Sequence, residues 1–239
     1  MLKKNIKLMN ITAFCLVILV GCSGEMIKNQ IVFVGIDYTT SADTFENGNT
    51  DKIKNIVIGV SENLKNSDVL EIHPIHAFTE TGIMGKRTAP KLEGNLRDNK
   101  IQQQWLEHDI KPFLDEVMSY KFDNYSLAGT NIYPIANKLR NRVEQGYKVS
   151  CYIFCDLNQE YDGEDFHEIF DGLKDPIEYA SMKVQSLNIS DALYGVDIKI
   201  FVPGTPEGSQ TQENVRRNIK KFWKEFFRLC GSKVTIEDL

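Results

Sequence analysis

The run Ile31-Val32-Phe33-Val34-Gly35-Ile36 is apolar or small at every position. A strand with one wet face alternates; one covered on both faces does not. The run therefore predicts a central strand with helices packed on both sides. It opens into Asp37-Tyr38-Thr39-Thr40-Ser41, where a carboxylate and two hydroxyls recur at every second residue. In open α/β sheets, ligands gather at the carboxyl ends of strands. Asp, Thr and Ser also make ordinary turns, so this motif gains meaning only if other segments bring matching oxygens.

The remaining periodicity alternates strands and helices. Apolar residues recur at helical spacing over Ile53–Leu64, Ile101–Val117, Ile132–Val143 and Val215–Leu229. Pro112 should kink or split the second of these, whereas Pro134 falls in a first turn, where a missing N–H costs nothing. Further strands are expected at Val69–Ile75, Val149–Cys155 and Val196–Val202, the first near a sheet edge because of Pro74. Residues 79–100 read as an insertion or mobile loop. Residues 157–190 read as irregular, with short helices around 166–173 and 177–187. The pattern predicts an α/β fold: a doubly wound, mainly parallel sheet flanked by helices, Rossmann-like in three layers.

The first segment bears on location. Lys3, Lys4 and Lys7 precede an apolar core from Ile11 to Val20, too short to span a bilayer comfortably, which reads as a signal peptide. It ends Leu19-Val20-Gly21-Cys22, which resembles the bacterial lipoprotein box. That resemblance implies cleavage before Cys22 and a lipid on its thiol; an ordinary secretory signal or an uncleaved anchor is the alternative. Ser23 after the Cys implies an outer membrane destination, facing periplasm or surface, where the cell has one. The expected organisation is a signal peptide at 1–21, lipidated Cys and linker at 22–30, and one domain at 31–239. Removing residues 1–21, with three lysines and no acid, takes a chain of net charge −5 to 218 residues at −8. An acidic balance disfavours nucleic acid as a partner, because phosphates need a basic face.

Of five cysteines, Cys15 would leave with the signal and Cys22 would carry the lipid, which leaves Cys151, Cys155 and Cys230, without zinc-like spacing. On a strand Cys151 and Cys155 share a face about 13 Å apart, beyond disulfide reach. They read as buried free thiols, with a bridge from Cys230 as the alternative in an oxidising compartment.

In a right-handed α/β sheet the loops after strands 31–36 and 149–155 share one rim. The Gly129-Thr130-Asn131 turn can reach the same rim. Together they offer Asp37, Thr39, Ser41, Thr130 and Asp156, oxygen donors that suit a hard divalent cation, with Mg²⁺ expected and Mn²⁺ or Ca²⁺ as alternatives. The pattern, from about Ile31 to Leu229, resembles the von Willebrand factor A (vWA) domain with its metal-ion-dependent adhesion site (MIDAS). There D-x-S-x-S is followed by a Thr on a middle loop and an Asp ending the next core strand. By that resemblance Thr39, Ser41 and Thr130 would bind the metal through hydroxyls. Asp37 and Asp156 would act mostly through intervening waters, leaving one position for a partner's carboxylate. Two departures stand out: Thr39 replaces the usual Ser, and Leu157 follows Asp156 where the family has Gly.

Other motifs fare worse. His73 and His76 lack same-face strand spacing, so they are not expected to share a metal. Asp162-Gly163-Glu164-Asp165 lacks the twelve-residue calcium loop, and Gly204-Thr205-Pro206-Glu207-Gly208 lacks a P-loop Lys. Phe222, Trp223, Phe226 and Phe227 read as core. The resulting expectation is an envelope lipoprotein, held to the membrane by lipid, that binds a protein partner through a divalent cation. A metal-dependent hydrolase such as a phosphoesterase, or a structural component with a vestigial site, is the alternative. No histidine is expected on the rim, which favours binding over catalysis.

Overall fold

The computed structural model describes residues 29–39, 43–45, 48–80, 82–122, 126–172, 174–203 and 210–239. The expected signal segment, Cys22 and Ser41 lie outside them.

Strand β1 (Gln30–Asp37) carries the apolar run, buried at every position after Gln30. Its two faces feed two cores. Ile31 and Phe33 face one with Ile135, Leu139, Phe222 and Trp223; Val32, Val34 and Ile36 face another with Ile53, Val57, Ile110 and Leu114. Full burial of a side chain such as Phe33 or Ile36 contributes about 1.5–3 kcal/mol, so this strand anchors both layers.

Helix α1 (Asn49–Ser61) leads to β2 (Val69–Ile75) and β3 (Gly85–Thr88). Helices α2 (Asp98–Trp105) and α3 (Lys111–Ser119) are separated by a π-helical turn at Leu106–Ile110, with Pro112 in the first turn of α3. The expected split thus occurs where a proline cannot donate its hydrogen bond. Helix α4 (Tyr133–Glu144) precedes β4 (Lys148–Phe154), and a hairpin of β5 (Glu160–Tyr161) and β6 (Glu164–Asp165) follows. Then come α5 (Phe166–Asp171), α6 (Pro176–Leu187), β7 (Asp197–Val202), α7 (Gln210–Leu229) and β8 (Lys233–Asp238).

The main sheet runs β3-β2-β1-β4-β7-β8, parallel throughout except for β3. The α/β class and mainly parallel sheet are as expected. Strand β2 lies near an edge, as expected: only β3 stands outside it, and β3 pairs only with Val69–Ile72, so Pro74 lies beyond the stretch that needs a second partner. Two details differ. Residues 79–100, expected as a loop, contain β3 and the start of α2. The chain also closes the far edge with β8, whose alternation of half-buried Val234 and Ile236 with exposed residues suits an edge. Cys151, Cys155 and Cys230 are buried and free. Among the described residues no helix is long and apolar enough to cross a membrane.

Candidate metal centre

Because β1 and β4 are parallel neighbours, their carboxyl ends emerge on one rim. Asp37, the last residue of β1, is fully buried. Its Oδ1 accepts from the Thr39 backbone N–H at 2.9 Å and from the Thr39 hydroxyl at 2.7 Å. The Thr39 and Thr130 hydroxyls stand 3.0 Å apart. Asp37 Oδ2 is buried and has no hydrogen-bond partner among the described residues. Burial raises the Asp37 carboxyl well above its ordinary value, and Asp156 and Glu160 push further while the Thr39 bonds pull back.

Asp156 lies two residues past β4, half-buried, and its Oδ1 accepts from the Asn158 backbone N–H at 2.9 Å. This repeats the turn that Asp37 makes with Thr39. The intervening Leu157 sits at φ 69°, the left-handed region where a glycine is expected. Two contacts hold it there. Its side chain is buried in the core, and its carbonyl accepts from the Trp223 indole at 2.8 Å. Burial pushes the Cys155 thiol up, with Asp37 and Asp156 adding to it, which sets this thiol close to both acids.

The middle loop is stitched to the Asp156 loop. Glu160 N–H donates to the Thr130 carbonyl at 2.9 Å. Gln159 accepts from Ile132 N–H at 2.8 Å and donates to the Asn131 side chain at 3.2 Å. Gly129 is required here: a Cβ would stand 2.1 Å from the Glu160 carbonyl oxygen. The structure thus brings together Asp37, Thr39 and Thr130 by direct contact, and Asp156 through its charge on Asp37.

These residues fit a hard divalent ion. A buried carboxylate oxygen without a partner costs free energy that a cation would recover, and hydroxyls with carboxylates are hard donors. Among the described residues no three His, Cys, Asp or Glu side chains converge as a metal cage. Any ion here must therefore use hydroxyl or amide oxygens beside few carboxylates.

Sequence reasoning missed several neighbours. Asn158 and Glu160 repeat, after Asp156, the every-second-residue spacing of Asp37, Thr39 and Ser41, a signal legible in hindsight. His76 directly follows β2 and so does reach this rim, against expectation, because β2 runs parallel to β1. Its Nδ1 accepts from Phe78 N–H at 2.9 Å, and its ring packs on Phe122, which in turn packs on Tyr38. A cavity of about 420 Å³ opens there, lined by His76, Phe78, Tyr120 and Phe122 among others. A second, of about 330 Å³, lies beside Asn131, Gln159 and Lys183.

No protein-family model matches this chain. No curated protein matches it either. Solved structures do overlap it. The ArnB paralog VWA2 from Sulfolobus acidocaldarius aligns at TM-score 0.46 and 9% identity, over 89% of this chain and 42% of that one. Proximal thread matrix protein 1 from the mussel byssus, with a zinc-occupied MIDAS motif, aligns at 0.32 and 13%, over 88% and 42%. A von Willebrand factor type A protein from Catenulispora acidiphila aligns at 0.29 and 8%, over 83% and 43%. The chain spans less than half the length of each. Its fold rests on the strand order and register above, not on these overlaps.

Proposed function

We propose that this chain is a lipid-anchored envelope protein whose vWA-like domain binds a protein partner through a divalent cation. Asp37, Thr39, Thr130 and Asp156 would hold the ion, with Ser41 contributing from the same loop. The observation that carries this reading is the contact between the Thr39 and Thr130 hydroxyls beside the unpartnered Asp37 Oδ2.

Each residue has a separable task. Thr39 and Thr130 present neutral oxygens, fixed by the β1 end and by the α4 entry. Asp37 orients the Thr39 hydroxyl through Oδ1 and supplies negative charge through Oδ2. Asp156 adds a second negative charge across the rim. A bound ion would supply an open position for a partner's acidic side chain. The lipid at Cys22 would confine the domain to the membrane surface, supported by the Leu19-Val20-Gly21-Cys22 motif.

Capture of a partner from envelope extracts with Mg²⁺ or Mn²⁺, against EDTA and against Asp37→Ala, tests this. Metal-dependent capture lost in the variant supports it. Metal-dependent turnover of a phosphoester, lost in the same variant, would replace it with the hydrolase. Capture indifferent to metal and to Asp37 would leave a structural component.

A further inference from the structure

Asn158 is 3% exposed, and its side-chain oxygen is buried with no hydrogen-bond partner among the described residues. Its amide nitrogen donates to the Glu160 carboxylate, which fixes which end of the amide carries the oxygen. Its backbone N–H is held by Asp156. The loop ends of the two neighbouring parallel strands thus each carry a buried, unpartnered side-chain oxygen: Asp37 Oδ2 and Asn158 Oδ1. Buried acceptors are nearly always satisfied, so two orphans around one rim point to a shared ligand. That ligand is cationic, because both are acceptors and the surrounding groups, Asp156 and Glu160, are acids.

Resting on the metal site proposed above, we infer that Asn158 is a further oxygen ligand of the cation and that Glu160 is the positioning residue that orients its amide. Glu160 is itself anchored, through its backbone N–H, on the Thr130 carbonyl. Orientation of one ligand is therefore tied to placement of another. A neutral amide adds an oxygen without a third carboxylate on the ion, in keeping with the lack of a His/Cys/Asp/Glu cage among the described residues. It leaves the ion's charge less compensated, which favours an incoming acidic group over a neutral one.

The test is calorimetric titration of full-length protein in mild detergent with MgCl₂, MnCl₂ and CaCl₂, with metal-free thermal midpoints measured alongside. The variants are Asn158→Ala, Asn158→Asp, Glu160→Gln and Asp37→Ala. Asn158→Ala should weaken the tightest ion by about tenfold or more, and Glu160→Gln by a smaller factor, as for losses around a metal site. Asn158→Asp should restore or exceed wild-type affinity, a rescue that a purely structural role for the amide would not give. Should Asn158→Ala fail to fold, Asn158→Asp alone decides: affinity clearly weaker than wild type overturns the assignment. Metal binding lost in Asp37→Ala but unchanged in both Asn158 variants overturns this inference alone. No binding of any ion by the wild type overturns the metal site itself and this ligand with it.

Discussion

The hydroxyls of Thr39 and Thr130 lie 3.0 Å apart although 91 residues separate them in the chain. Two parallel strands and a helix entry are needed to bring them together, and Asp37 lies beneath the pair. The contact makes the hydroxyl itself testable. Thr39→Val keeps the shape and removes the oxygen, leaving Asp37 Oδ1 with the backbone N–H alone. It should abolish any metal-induced rise in thermal midpoint, while Thr39→Ser keeps it. Equal metal responses in both variants would remove Thr39 from the centre.

Asp37 predicts a pH dependence of the metal-free protein. Its carboxyl is held above 3.8 in the folded state, mainly by burial. The folded chain then keeps a proton that the unfolded chain releases. The contribution is full below 3.8 and is lost as pH rises through the raised value. Asp37→Asn should remove this loss, so EDTA-treated variant should be no less stable than EDTA-treated wild type at neutral pH. A variant clearly less stable than wild type under EDTA contradicts the assignment.

The opposite slope is expected from the neighbouring strand β2. Glu71 is buried; burial alone would raise its carboxyl, but bonds with His73 at 3.3 Å and Arg142 at 3.0 Å hold it below 4.5. Burial holds His73 below 6.5, against the Glu71 bond, and its ring stacks on Phe33 at 4.1 Å. Both depressed groups give stability that is present above their unfolded values and lost as pH falls through the folded ones. Denaturant midpoints should therefore fall from pH 6.5 downward, and His73→Gln should flatten the upper part of that fall.

Leu157 holds left-handed backbone through packing. Leu157→Gly would relieve roughly 1–2 kcal/mol of strain but forfeit burial worth about 2–5 kcal/mol. The expected net is a loss on the order of 2 kcal/mol by urea denaturation, and a stabilised variant would show that strain dominates.

Gly129→Ala drives a methyl against the Glu160 carbonyl at 2.1 Å. The loops carrying Thr130 and Asn158 must separate to admit it. Loss of about 1–3 kcal/mol is expected, in the usual range for overpacking, together with weakened metal response. Wild-type stability would mean that the close approach is not a constraint.

Some of this was legible in the chain. The unbroken Ile31–Ile36 run announced two-sided burial, and Pro112 announced a divided helix. Both signals are carried by residue types within one short segment. Asp37, Thr39 and Thr130 could be gathered because strand order places loop ends on one rim. Other features were hidden. Strand β3 reads Gly-Lys-Arg-Thr, whose charges suit an edge as well as a loop; its Arg87 lies over the Phe113 ring, a contact with no sequence signature. Asn158 went unread within the irregular stretch 157–190 because orphaned oxygens exist only once burial is known. His76 was set aside on spacing to His73, although position after a parallel strand is what brings it to the rim.

The central claim is that these oxygens hold a cation. Thermal unfolding of wild type and Asp37→Ala, first in EDTA and then with Mg²⁺, Mn²⁺ or Ca²⁺, tests it most directly. An ion at one hundred times its dissociation constant should stabilise the wild type by about 2.7 kcal/mol, seen as a raised midpoint, and leave the variant unmoved. No shift with any ion, or equal shifts in both proteins, would contradict a metal centre at Asp37.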